Sequence, residues 1–141
     1  MDDHSRDNSK AIIESYQDPR IYVIQNEGKG ILPALKTAQR HIQGNYVTRM
    51  DADDVMPQDK LKILLKTLQS KEEGILATGR VQYFSSQPIS EGYQRYEKWL
   101  NKTADGERFY KRTYRECTVA SANWMMRMAE FNEMSGYNKL K

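Results

Sequence analysis

A chain of 141 residues falls within the usual span of one domain, and its 38% hydrophobic and 29% charged residues suit a folded globular protein rather than a disordered one. The formal charge of +3, from 22 basic and 19 acidic residues, is too small to argue for a nucleic-acid partner. The single cysteine, Cys117, excludes an internal disulfide and a thiolate metal site, and no apolar run approaches the roughly 20 residues that cross a bilayer.

The opening residues are too polar for a signal peptide, so a cytoplasmic protein is expected. A basic cluster of Lys111, Arg112 and Arg115 could meet phosphates or anionic lipid, which leaves room for peripheral association with the inner face of a membrane.

In chain order, residues 7–16 predict a short amphipathic helix capped by Ser5 or Asp7, with Ile12, Ile13 and Tyr16 on its inner side. Asp18-Pro19 ends it. Residues 21–24, Ile-Tyr-Val-Ile, predict a strand covered on both faces. Asn26-Glu27-Gly28-Lys29-Gly30 breaks that strand; its glycines suit either a plain turn or a close backbone approach to a ligand. Leu32, Leu35, Ala38 and Ile42 then fall at helical spacing, closed by Gln43-Gly44-Asn45.

Residues 46–50 predict a strand running into Asp51-Ala52-Asp53-Asp54, and a helix follows Met56-Pro57 with Leu61, Leu64, Leu65 and Leu68 inward. Beyond Gly74 the pattern loosens. Residues 75–84 predict a strand with an irregularity at Gly79, 85–92 a loop, 93–100 a helix with Tyr93, Tyr96 and Leu100 inward, 117–128 an extended segment and 129–134 a short helix. Alternation of helix and strand predicts an α/β fold with a mostly parallel sheet and helices on both faces.

Asp51 and Asp53 flank one small residue directly after a predicted strand, at the carboxyl end of the sheet where open α/β folds bind ligands. Three carboxylates within four residues repel one another unless a cation, a basic side chain or water neutralises them. Such hard oxygen ligands suit Mg²⁺ or Mn²⁺, which fill their remaining positions with substrate phosphates. The alternative is an acidic loop in which Asp54 and Asp59 only help to start the next helix.

The ordered set Asp2-Asp3-His4-Ser5, Asp18-Pro19-Arg20-Ile21, Asn26-Glu27-Gly28, Gly44-Asn45-Tyr46-Val47 and Arg49-Met50-Asp51-Ala52-Asp53-Asp54 with Pro57 resembles the donor-binding half of the family 2 glycosyltransferases. The second half resembles the family more loosely, through Ala122-Asn123, Trp124-Met125-Met126-Arg127 and Glu133-Met134-Ser135-Gly136-Tyr137. The resemblance implies a GT-A, Rossmann-like fold, with a donor-binding part over 1–74 and the start of an acceptor-side part over 75–141.

It also implies metal-dependent, inverting transfer of a sugar from a UDP- or GDP-type donor to a saccharide or lipid-linked acceptor. Asp3, with Asp2 beside it, would hold the base or ribose, and Asp51 and Asp53 would form the metal and diphosphate motif, with Asp53 the direct metal ligand. Ala122 and Asn123 would line the acceptor side.

Two parts of the family pattern are expected to be lacking: the first strands before Asp2, and the acidic catalytic base after the Gly136-Tyr137 turn. No catalytic base is therefore assigned. His4 and His41 are read as motif and helix-surface residues, Cys117 as a buried small residue, and Trp99 and Trp124 as packing aromatics. The other readings are a non-catalytic fragment of such an enzyme, inactive or unstable alone, and a nucleotidyltransferase, whose glycine-rich triphosphate loop is not visible.

Overall fold

A computed structural model describes residues 1–106 and 117–139. It divides into two compact units, Met1–Gly44 with the chain from Phe131 on, and Asn45–Glu130.

In the first unit, α1 (Ser9–Glu14) is entered through Asp7, whose Oδ1 accepts the Ser9 amide at 3.0 Å. It is shorter than its periodicity predicts and buries no residue: Ile12 and Tyr16 are exposed where an inner face is expected. Residues 21–24 make no strand. Their place is taken by one isolated parallel bridge between Asp2 and Gln25, closed by Asp2 N–H to the Ile24 carbonyl (2.8 Å) and Asn26 N–H to the Asp2 carbonyl (2.7 Å). Tyr22 is 72% exposed, so the two-sided cover expected for this segment does not exist.

α2 (Ile31–His41) starts at Gly30, whose φ of +90° falls in the region that favours glycine, and ends with Arg40 and His41 beside its carbonyl terminus. Its Gln39 side chain accepts the Tyr137 amide at 2.8 Å within the 3-10 turn Gly136–Lys139. Phe131 meets the Tyr137 ring edge to face at 5.1 Å.

The second unit holds β1 (Tyr46–Thr48), α3 (Lys60–Gln69), β2 (Ala77–Thr78), α4 (Glu91–Ala104) and β3 (Trp124–Arg127), which runs on into α5 (Met128–Glu133). The sheet order is β1-β3-β2, and β3 is antiparallel to both neighbours, pairing Val47 with Met126 and Ala77 with Met125. α3 lays Leu64 and Leu68 on this sheet, where they form a core with Ala77 and Met125, flanked by Tyr46, Leu65 and Ile75. Leu61 lies outside that core, 42% exposed. α4 begins two residues before the expected helix, capped by Ser90, and buries Leu100 and Thr103. Tyr93, placed inward by its spacing, is 61% exposed.

The mostly parallel, GT-A-like (Rossmann-like) sheet expected with helices on both faces is therefore not the architecture of the described residues. β1 and β2 do run in the same direction with α3 between them, as a crossover requires, but β3 is inserted antiparallel and takes the hydrogen bonds of both. The expected strand at 75–84 stops after Thr78 because side chains satisfy the backbone beyond it. Asn101 exchanges two 2.8 Å bonds with the amide and carbonyl of Val81, Asn123 donates to the Gly79 and Arg80 carbonyls, and Glu97 accepts the Tyr83 amide at 2.6 Å. Groups paired in this way are no longer offered to a sheet neighbour.

Candidate functional site

Two groups of predicted carboxylates fall in different units. Asp2 and Asp3 stand at the start of the first unit and are knitted to the 26–30 loop. Buried Asn26 donates its amide nitrogen to Asp3 Oδ1 at 2.6 Å and to the Gly30 carbonyl at 3.2 Å, while its own Oδ1 accepts the Gly28 amide at 3.1 Å. The Gly30 amide completes the link at 2.9 Å from Asp3 Oδ2. These bonds, Asn26 first and the Gly30 amide second, hold the Asp3 carboxyl below its ordinary range. Asp2 is lowered in the same way by Ser5, whose amide donates to its Oδ1.

His4, with φ of +60°, spans the same two motifs. One ring nitrogen, Nε2, faces the Gly28 carbonyl at 2.9 Å and must donate to it; Nδ1 is then the acceptor for the Gln25 amide at 3.0 Å. A single turn of chain thus has most of its polar groups committed to holding the loop in shape. The glycine at position 28 is required by packing, since a Cβ there would stand 2.8 Å from the Pro33 Cβ.

In the second unit, Arg49 and Asp51 sit two residues apart in the segment that follows β1. The Arg49 guanidinium donates to Asp51 Oδ1 through Nε and lies 2.7 Å from it through its terminal nitrogen. Asp51 Oδ2 accepts the Ser121 hydroxyl at 3.0 Å. The segment that carries Ser121 is fixed in turn: the Trp124 indole donates to the Ser121 carbonyl at 2.8 Å, Asn123 N–H to the Ala120 carbonyl at 2.9 Å, and Lys60 to the Ala122 carbonyl.

Asp53 does not share this arrangement. The Asp54 amide returns to the Asp51 carbonyl at 3.2 Å, so Ala52 and Asp53 are the middle of a turn and the alternation that would aim Asp53 alongside Asp51 is broken. Asp53 and Asp54 are exposed. Among the described residues, no three His, Cys, Asp or Glu side chains gather where they could hold a metal ion. Each oxygen of Asp51 accepts one hydrogen bond, Oδ1 from the Arg49 Nε and Oδ2 from the Ser121 hydroxyl, and the guanidinium charge lies against Oδ1. Among the described residues the Asp51 arrangement does not by itself make a protein-only site for a divalent ion.

The remaining predicted residues are placed as follows. His41 is exposed on α2. Cys117, expected to be buried, is exposed, with Sγ 3.0 Å from the Val119 carbonyl. Trp124 is a buried packing residue of β3, and Trp99 stacks on Tyr96 with ring centroids 5.6 Å apart. Ala122 is buried and Asn123 is tied to Gly79 and Arg80. Lys111, Arg112 and Arg115 lie outside the described residues. Among these, no helix is long and apolar enough to cross a membrane. Asn26 and Arg49 stand within the motifs that carry the family resemblance but are given no role by it, and Ser121 carries no sequence signal.

The sequence profile described as Glycosyl transferase family 2 matches residues 1–134, and the chain belongs to that family. It is 28% identical to Glycosyltransferase GlyA of Streptococcus pneumoniae serotype 4 over an alignment of 143 positions, 99% of this chain and 19% of that protein. It is 29% identical over 89 residues to Glycosyltransferase GlyG of the same organism, covering 61% of this chain and 30% of that one. Over 68 residues, 48% of this chain and 27% of the other, it is 31% identical to the UDP-Glc:alpha-D-GlcNAc-diphosphoundecaprenol beta-1,3-glucosyltransferase WfgD of Escherichia coli. The chain therefore spans between 19% and 30% of the length of these curated relatives. No solved structure matches it.

Family membership holds, then, without the two properties expected to come with it. The GT-A-like sheet is replaced by a small antiparallel one, and an active, metal-dependent transferase is not what the Asp51 arrangement and the lack of a ligand cluster among the described residues support.

Proposed function

We propose that this chain is a donor-side portion of a family 2 glycosyltransferase that does not carry out sugar transfer by itself. The observation that carries the reading is the state of Asp51, paired with the Arg49 charge and hydrogen-bonded by Ser121 instead of converging with other acids. Ile12, Tyr16, Tyr22, Ile31, Val55 and Phe84 are each more than half exposed.

In this reading Asp2 and Asp3 in the first unit, and Asp51 and Asp53 in the second, are the residues that the family resemblance assigns to the donor, and the ligand class is a nucleoside diphosphate sugar with a saccharide or lipid-linked acceptor. Family membership supports that class; the name of the WfgD relative makes UDP-glucose a reasonable first probe. Mg²⁺ or Mn²⁺ belongs to the proposal only as a companion of the donor's phosphates.

The test is release of UDP or GDP from a panel of sugar nucleotides, with and without Mn²⁺, by the purified chain and by its Asp51→Asn/Asp53→Asn double variant. The expected result is no turnover above the variant's background. Turnover by the unaltered chain that the double variant loses would overturn the reading.

A further inference from the structure

We propose that Arg49 is the resident counter-cation of Asp51: a positioning residue that turns the first carboxylate of the Asp-Ala-Asp triplet toward Ser121 and keeps a divalent ion off it. The proposal rests on the donor-side reading above and deepens it by naming what neutralises the triplet.

Three observations carry it. Arg49 and Asp51 are two residues apart in the segment that follows β1, and their side chains meet there. Both guanidinium contacts converge on Oδ1 at 2.7 Å, with the two side chains only 24% and 29% exposed, so water competes weakly for the pair. Ser121 holds the other oxygen at 3.0 Å from a segment anchored by the Trp124 indole and by Lys60, which leaves Asp51 little freedom to rotate.

A metal ion arriving at Asp51 would have to sit within a few ångströms of the Arg49 guanidinium, a fixed positive charge that repels it. Arginine stays charged throughout the accessible pH range, so this obstacle does not titrate away. Asp53, exposed on the turn, is left as the carboxylate of the triplet that faces outward.

The experiment follows Mn²⁺ broadening of the backbone amide signals of Ala52, Asp53 and Asp54 in ¹⁵N-labelled full chain. The unaltered protein, Arg49→Gln, Arg49→Lys and Arg49→Gln/Asp51→Asn are compared, with far-UV circular dichroism as the folding control. Removing the charge should lower the Mn²⁺ concentration for half-broadening at least about fivefold in Arg49→Gln. Arg49→Lys, which keeps the charge, should behave like the unaltered chain, and the double variant should lose the gain.

A merely structural role for Arg49 would not separate glutamine from lysine in this way. Tight Mn²⁺ broadening in the unaltered chain that vanishes in Asp51→Asn would overturn the proposal. So would an Arg49→Gln variant no more sensitive than the unaltered protein. Either result is independent of whether sugar transfer is seen, so failure of this proposal and failure of the donor-side reading can be told apart.

Discussion

Asn26 reaches back over 23 residues to donate to Asp3 at 2.6 Å, and it does so from a position only 2% exposed. The amide is suited to this place because it is donor and acceptor at once: it gives to Asp3 and Gly30 and receives from Gly28. Asn26→Asp keeps the shape and removes the donor, setting two carboxylates against each other. We expect a loss of about 1–3 kcal/mol at neutral pH, the usual cost of leaving buried polar groups unpaired. Part of the loss should return on acidification, when one carboxyl regains a proton to donate. Urea unfolding at pH 7 and pH 4 measures both, and an equal loss at the two pH values would contradict the account.

The same hydrogen bonds give the first unit a pH dependence of fixed sign. The Asp2, Asp3 and Asp7 carboxyls are all lowered, by bonds from Ser5, from Asn26 and Gly30, and from Ser9 respectively. A depressed folded-state value means stability that is present above the ordinary carboxylate range near 3.8 and is lost as pH falls through the lowered values. These carboxyls lie at the surface, so the effect should shrink with added salt. Amide chemical shifts of Ser5, Ser9 and Gly30 should titrate together with loss of structure below pH 4. Midpoints at or above the ordinary aspartate value would count against the bonding pattern.

How far the fold could be read from sequence depends on where each segment finds its partners. α2, α3 and α4 were legible as helices because a helix satisfies its own backbone, and in α3 the spacing also marks the buried side: Leu64 and Leu68 carry its core as expected, whereas α2 buries Thr37 and α4 leaves Tyr93 exposed. The segments at 21–24 and 75–84 had strand composition too, but a strand needs a neighbour. For the second, Asn101 and Glu97 took the available backbone groups from 20 and 14 residues away. Composition carries no trace of such bonds. In the acidic motif the spacing of Asp51 and Asp53 was visible, the turn that separates their directions was not, and Ser121 lies 70 residues on.

A paired substitution on α3 separates spacing from burial. Leu68 is fully buried among Leu64, Ala77 and Met125, whereas Leu61, on the same helical stripe by sequence, is 42% exposed. Leu68→Ala should cost about 2–5 kcal/mol, the transfer loss plus an unfilled cavity. Leu61→Ala should stay within about 0.5–1 kcal/mol of the unaltered chain, because most of its surface already meets water. Thermal unfolding of the two variants checks the contrast, and similar losses would show that Leu61 is packed after all.

Gly136 supports a prediction of a different kind. Its φ is +50°, and a Cβ added there would stand 2.4 Å from Gln39 Nε2. The Gln39 side chain can move aside, but only by giving up the 2.8 Å bond it accepts from Tyr137. Gly136→Ala should therefore cost about 1–2 kcal/mol from the left-handed backbone alone, with a further loss from the Tyr137 amide. Adding Gln39→Ala should relieve the clash and not the backbone strain. If the double variant recovers full stability, the strain is not there.

Arg127 closes the carboxyl end of α3. Its guanidinium donates to the Leu68, Lys71 and Glu72 carbonyls and to Glu130 Oε1, and that same oxygen accepts the Gly74 amide at 2.8 Å. The other oxygen, Glu130 Oε2, is buried without a hydrogen-bond partner, so the ion pair is what makes this carboxylate tolerable in place. Arg127→Met should cost on the order of 3 kcal/mol, the penalty of a largely buried charge left alone. Arg127→Met/Glu130→Gln should be more stable than Arg127→Met alone, because the amide removes the stranded charge and can still accept from Gly74. A double-mutant cycle in chemical denaturation decides the point: additive losses would mean that Arg127 acts only through the α3 carbonyls, and a rescue by glutamine assigns the larger share to Glu130.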